Sequence, residues 1–117
     1  MNIKQTIRRY VKNRSKKWVR PLLIPIIRAL IRYMPSDNIR YQLWAKLVIP
    51  FFQYADYNFI TKTKFGSRIA GNNLDMIQRY IYYFGVWEPN LTRFLNERLK
   101  EGGVFVDVGA NIGYFTL

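Results

Sequence analysis

Cysteine and histidine are both missing from this 117-residue chain. The first absence excludes disulfides and thiolate metal sites, and it leaves the compartment open. The second removes imidazole as a metal ligand and as the commonest general base. No metal site is expected, and any base has to be a carboxylate or lie outside these residues. Acids are scarce at the start: residues 1–36 contain none. A long uncharged apolar run is also lacking, because the most apolar stretch, Trp18 to Met34, carries Arg20, Arg28 and Arg32. A span needs about 20 mostly apolar residues, and an arginine at the bilayer centre costs ~3 kcal/mol. No transmembrane helix is therefore expected. No uninterrupted apolar segment precedes a small-residue cleavage site, so a secretory signal is not expected either. Without one, the Asn13-Arg-Ser15 and Asn90-Leu-Thr92 sequons read as chance matches.

Half of the residues are hydrophobic and 17% are aromatic, which is not a disordered composition. The length fits one domain. The net charge of +12 is uneven. Residues 1–46 hold 12 Lys/Arg against Asp37 alone, whereas residues 47–117 are nearly balanced. Such asymmetry points to an anionic surface as partner. From Ile3 to Val19, Ile3, Ile7, Tyr10, Val11 and Trp18 recur at helical spacing, with Arg8, Arg9, Lys12, Lys16 and Lys17 elsewhere on the helix. This basic amphipathic pattern suits an anionic membrane surface, met through residues 1–34. It equally suits a solvated helix packed on its own domain. Nucleic acid is not the expected partner, since the leader has no recognisable nucleic-acid motif.

Pro21 and Pro25 predict that the next helix starts near Pro25, with Ile26, Ile27, Leu30, Ile31 and Met34 on one face. Pro35 stops it. Ser36 is a candidate N-cap with Asp37 in the first turn, and Ile39, Leu43 and Leu47 carry a helix as far as Pro50. Trp44 and Tyr41 read as core aromatics. Residues 57–64 alternate as a strand, Phe65-Gly66-Ser67 is a turn, and Arg68-Ile69-Ala70 returns as a second strand. Asn73 is a candidate N-cap for a helix with Leu74, Ile77, Ile81 and Phe84 as its stripe, ended by Gly85. Pro89 fits the first position of a last helix, with Leu91, Phe94, Leu95 and Leu99 as the buried stripe. Gly102-Gly103 provides its C-cap and a turn.

The most informative stretch is Val104-Phe-Val-Asp-Val-Gly-Ala-Asn-Ile-Gly-Tyr-Phe-Thr-Leu117. Val104, Phe105, Val106 and Val108 suit a strand buried on both faces of a parallel sheet. Asp107 then sits at the carboxyl edge, where open α/β folds bind ligands. It would repel a phosphate but can accept from an ammonium or a hydroxyl. Gly109 and Gly113 allow a sharp turn and close approach of a ligand to the backbone. The spacing is neither the G-x-G-x-x-G of dinucleotide binders nor a P-loop. Without a ligand, the same residues read as a strand ending in a glycine turn.

These residues resemble motif I of class I S-adenosylmethionine-dependent methyltransferases. Together with Gly85-Val-Trp-Glu-Pro89 and the helix between, the chain is similar to the FkbM family over residues 57–117. The resemblance implies an α/β fold: N-terminal helices (residues 1–56) and a β-hairpin lead into the first βα unit of a Rossmann-like sheet. It implies S-adenosyl-L-methionine as cofactor and a hydroxyl of a sugar, glycan or secondary metabolite as methyl acceptor. Asp107 would accept from the donor's amino group, Gly109, Ala110, Asn111 and Gly113 would line its methionine moiety, and Tyr114 or Phe115 would pack beside it. Trp87 and Glu88 would form a wall near the cofactor, or else serve only as a packed Trp and a helix-start device. No catalytic residue can be assigned. Later strands of that fold are not among these residues, so the expectation is an incomplete domain, inactive alone, in the cytoplasm or at a membrane. The alternative is a basic peripheral-membrane helical module without catalysis.

Overall fold

A computed structural model describes residues 20–117, so the basic helix expected over Ile3 to Val19 lies outside the described residues. Helix α1 is helical from residue 20 through 33. The expected start at Pro25 is thus corrected: Pro21 and Pro25 both lie inside the helix. Both prolines are exposed, so a carbonyl left without its N–H donor still meets water. The early start lets Ile24 join Ile27 and Ile31 on the buried face. That face also differs from the expected one, since Ile26 and Leu30 point outward.

Helix α2 (Asp37–Leu43) opens on Ser36, whose hydroxyl accepts from the Ile39 N–H at 3.4 Å. Asp37 pairs with Arg40 at 2.7 Å, and Arg40 Nε donates to the Ile31 carbonyl at 2.7 Å, tying α2 to the end of α1. The helix does not end at Pro50. It widens into a π-helical turn over Trp44–Val48, where the Ile49 N–H reaches back to the Trp44 carbonyl, and continues as α3 (Ile49–Phe52). The wider turn gives the Pro50 ring room that a closed α-turn would deny it.

Strands β1 (Asn58–Lys62) and β2 (Arg68–Asn72) form the expected antiparallel hairpin, with Asn58 opposite Asn72 and Lys62 opposite Arg68. The buried residue of β1 is Thr61 rather than an aliphatic, and Thr63 is buried just past its end. The reason is α1: Arg28 Nη2 and Arg32 Nη1 both donate to Thr61 Oγ1, at 2.7 and 3.2 Å. Arg28 Nε also donates to the Tyr82 carbonyl at 2.9 Å, and its guanidinium lies 4.5 Å above the Tyr82 ring. Burial and the neighbouring Arg28 pull the Arg32 pKa below its ordinary value.

Helix α4 (Met76–Phe84) is capped by Asp75, which accepts from the Gln78 N–H at 2.8 Å. Asn73 is therefore not the N-cap. It is fully buried, and its amide donates to the carbonyls of Phe52 and Ala55 at 2.7 and 2.8 Å. Tertiary burial has taken that side chain away from the helix end. Gly85 ends α4 at φ +77°, as a C-cap glycine does. Trp44 packs edge-on against Tyr80, Tyr83 and Phe84 at 5.5–5.7 Å between ring centroids. The core joins Ile24, Ile27, Ile31, Val48 and Phe52 to Ile69, Ile81, Tyr83, Phe84, Val86 and Tyr114, so it runs across the 56/57 boundary.

Helix α5 (Pro89–Leu99) begins at Pro89 as expected. Its stripe is not buried as expected: Leu91, Phe94 and Leu99 are exposed, and Thr92 is its buried residue. Residues 102–107 form no strand, and Val104 and Val108 are 92% and 91% exposed. A strand needs a neighbour to receive its ladder hydrogen bonds. Among the described residues the only sheet is β1–β2. The described fold is thus mixed helix and hairpin.

Candidate functional site

Gly102 and Gly103, at φ +85° and +147°, carry the chain out of α5. From there it runs extended to Asp107 and then coils. Gly109, Asn111 and Gly113 alternate along the loop at φ +77°, +51° and +71°. Glycine adopts this region freely and asparagine more readily than most residues. Turn hydrogen bonds from Gly113 N–H to the Ala110 carbonyl (2.7 Å) and from Thr116 N–H to the Gly113 carbonyl (3.1 Å) fix the coil. Residues 111–116 are therefore successive turns and not the first turn of a helix.

The coil folds back onto the last two helices. Tyr114 is buried, its hydroxyl 3.5 Å from Thr92 Oγ1, and its ring meets Phe115 edge-on at 5.1 Å. Thr92 in turn donates to the Trp87 carbonyl at 2.7 Å. One hydroxyl thus links the α5 start to the loop. Between them lies a cleft of about 410 Å³. Asp107, Gly109, Ala110, Asn111, Tyr114 and Phe115 line one side, and Trp87, Ile77, Leu91 and Leu95 the other.

Asp107 is the one acidic side chain lining this cleft. Its Oδ2 is buried and has no hydrogen-bond partner among the described residues. A buried carboxylate oxygen without a donor is costly. Such a group is satisfied by a donor or cation from outside. A Cβ placed on Gly109 would meet nothing within 4 Å, so the space over the loop is open there. Apart from Asp107 and Asn111 the cleft is lined by aromatic and aliphatic residues and glycine, which suits a ligand with a largely apolar body and one cationic or hydroxylic end. Asp107 and Tyr114 are the titratable side chains lining it.

Six of the eight residues singled out from the sequence meet here: Asp107, Gly109, Ala110, Asn111, Tyr114 and Phe115. Gly113 shapes the loop without lining the cleft. Glu88 lies apart from the cleft lining. Its side chain is exposed and absent from the lining, and it makes no capping hydrogen bond. Its backbone takes the left-handed turn, φ +43°, that brings Pro89 into α5, which turns its carboxylate to solvent. Trp87 does line the cleft. Sequence reasoning missed Thr92, Ile77 and Phe105. Thr92 carried one signal, a small hydroxyl residue inside an otherwise bulky apolar stripe.

Among the described residues no group of three or more acidic side chains is placed to hold a metal. Comparison with protein-family models, with curated proteins and with solved structures gave no match to this chain.

Proposed function

We propose that the cleft between α5 and the Asp107–Phe115 loop holds the methionine end of S-adenosyl-L-methionine, and that the chain is part of an O-methyltransferase similar to the FkbM family. The buried, unpartnered Asp107 Oδ2 carries this reading. The donor's α-ammonium is a cation of the right size to satisfy it, and the charge-assisted hydrogen bond is strong where water is excluded. Gly109 leaves room for the ligand against the backbone. Trp87, Tyr114 and Phe115 supply the apolar wall for the methylene carbons of the methionine moiety.

When bound, the cofactor supplies an activated methyl group on a sulfonium. The chain's own residues bind and orient that group, which is where a methyl transferase gains most of its rate. The acceptor is a hydroxyl of a sugar, glycan or secondary metabolite. No side chain in the cleft is assigned to removing its proton.

The test is calorimetric titration of the full chain with S-adenosyl-L-methionine. Saturable binding that falls by roughly tenfold or more in Asp107→Ala supports the reading. Absence of binding, or equal binding by the variant, overturns it.

A further inference from the structure

Helix α1 is apolar on two opposite sides. Ile24, Ile27 and Ile31 face the core. At about 100° per residue, Leu22, Ile26, Ala29, Leu30 and Tyr33 fall on the reverse side. That side is bare: Leu22 is 72%, Ile26 57% and Tyr33 79% exposed. A helix apolar all round is normally covered all round. The two helix arginines beyond Arg20 are not on this side; Arg28 and Arg32 bond to Thr61, Lys62 and Tyr82 of their own domain.

Charge says what covers the stripe. The 19 residues leading into α1 hold seven Lys/Arg and no acid. A cationic segment running directly into an exposed apolar helix face matches the interface of a bilayer bearing anionic lipid. No helix among the described residues is long and apolar enough to cross that bilayer. We infer that the Leu22–Ile26–Leu30–Tyr33 face of α1 lies in the headgroup region of an anionic membrane, with the basic leader held on the lipid charge. The inward arginines keep the hairpin and α4 rigidly attached to the membrane-lying helix. This inference is independent of the methyltransferase reading.

The test is co-sedimentation of the full chain with phosphatidylcholine vesicles, with and without phosphatidylglycerol, at low and high salt. Binding that requires phosphatidylglycerol and weakens with salt is expected. The double variants Leu22→Ser/Ile26→Ser and Leu30→Gln/Tyr33→Gln are each expected to bind roughly tenfold more weakly. Their circular dichroism and melting should match the parent, since these side chains are outside the core. Variants that bind as the parent does would make the attraction one of charge alone and overturn the assignment of the face. Failure of the parent to bind also overturns it. In that event, sedimentation velocity showing a dimer that the variants lose would give the face to a second copy.

Discussion

The Arg32 guanidinium occupies the space where Gly85 would carry a side chain. A Cβ built on Gly85 comes within 2.5 Å of Arg32 Nη2, and Gly85 itself sits at φ +77°. Arg32 cannot retreat cheaply, because it also donates to Thr61 Oγ1 and the Lys62 carbonyl. The Gly85 carbonyl accepts from the Lys64 N–H at 2.8 Å, locking the same corner from the other side. Gly85→Ala combines a left-handed backbone with a steric clash. It should cost about 2 kcal/mol or more, read as a lower urea midpoint at unchanged slope. A variant as stable as the parent would show that Arg32 does not pack rigidly there.

Asn73 is a second fixed point. Its amide satisfies two carbonyls, those of Phe52 and Ala55, where the helical half turns into the hairpin. Asn73→Ala takes the donor from the Ala55 carbonyl at a cost of about 1–3 kcal/mol, whereas the Phe52 carbonyl keeps the Ala55 N–H at 2.9 Å. Chemical denaturation should show a loss of about 1–3 kcal/mol. A loss below that range would mean water reaches the site.

Local rules in the sequence described much of this chain. Ser36 caps α2, Gly85 ends α4, Pro89 opens α5, and the hairpin turns at Gly66. Each depends on one residue's own backbone or side-chain preference. The failures involve competition from elsewhere. Pro25 and Pro50 sit inside helices because burial of Ile24 and Phe52 outweighs a lost hydrogen bond. Asn73 was drawn from the cap into the core. Residues 104–108 have strand composition, but a strand is a relation between segments, and no described strand pairs with them. The glycine loop was legible because its φ values demand glycine or asparagine. The orphaned Asp107 oxygen was not, since burial of one atom depends on how Tyr114 and α5 close over it.

Alkaline pH should loosen the aromatic core. Burial raises the pKa of Tyr57 well above its ordinary value, and that of Tyr80 likewise, while Tyr83 is pushed up to about 12. Tyr57 and Tyr83 hydroxyls also lie 3.3 Å apart, so ionising both is unfavourable. The unfolded chain loses these protons near pH 10 and the folded chain later. Stability is therefore full below about pH 10 and falls as the pH rises toward and through 12. Urea midpoints measured from pH 8 to 12 should show this decline. Tyr57→Phe should flatten it, having one fewer group to keep protonated. A decline equally steep in the variant would assign it to other groups.

Asp107 sets stability against binding. Its buried Oδ2 has no hydrogen-bond partner among the described residues, so neutralising it removes a desolvation cost. Asp107→Asn keeps the shape of the side chain while removing the charge. The variant should melt at or above the parent temperature, the pattern expected where a site holds an unfavourable group for a ligand. Its affinity for S-adenosyl-L-methionine should fall by roughly tenfold or more, because an amide cannot offer a carboxylate to an ammonium. Added S-adenosyl-L-methionine should raise the melting temperature of the parent and leave the variant nearly unmoved. A variant that melts lower yet binds as well would make Asp107 a structural residue. That outcome would remove the observation on which the cofactor reading stands.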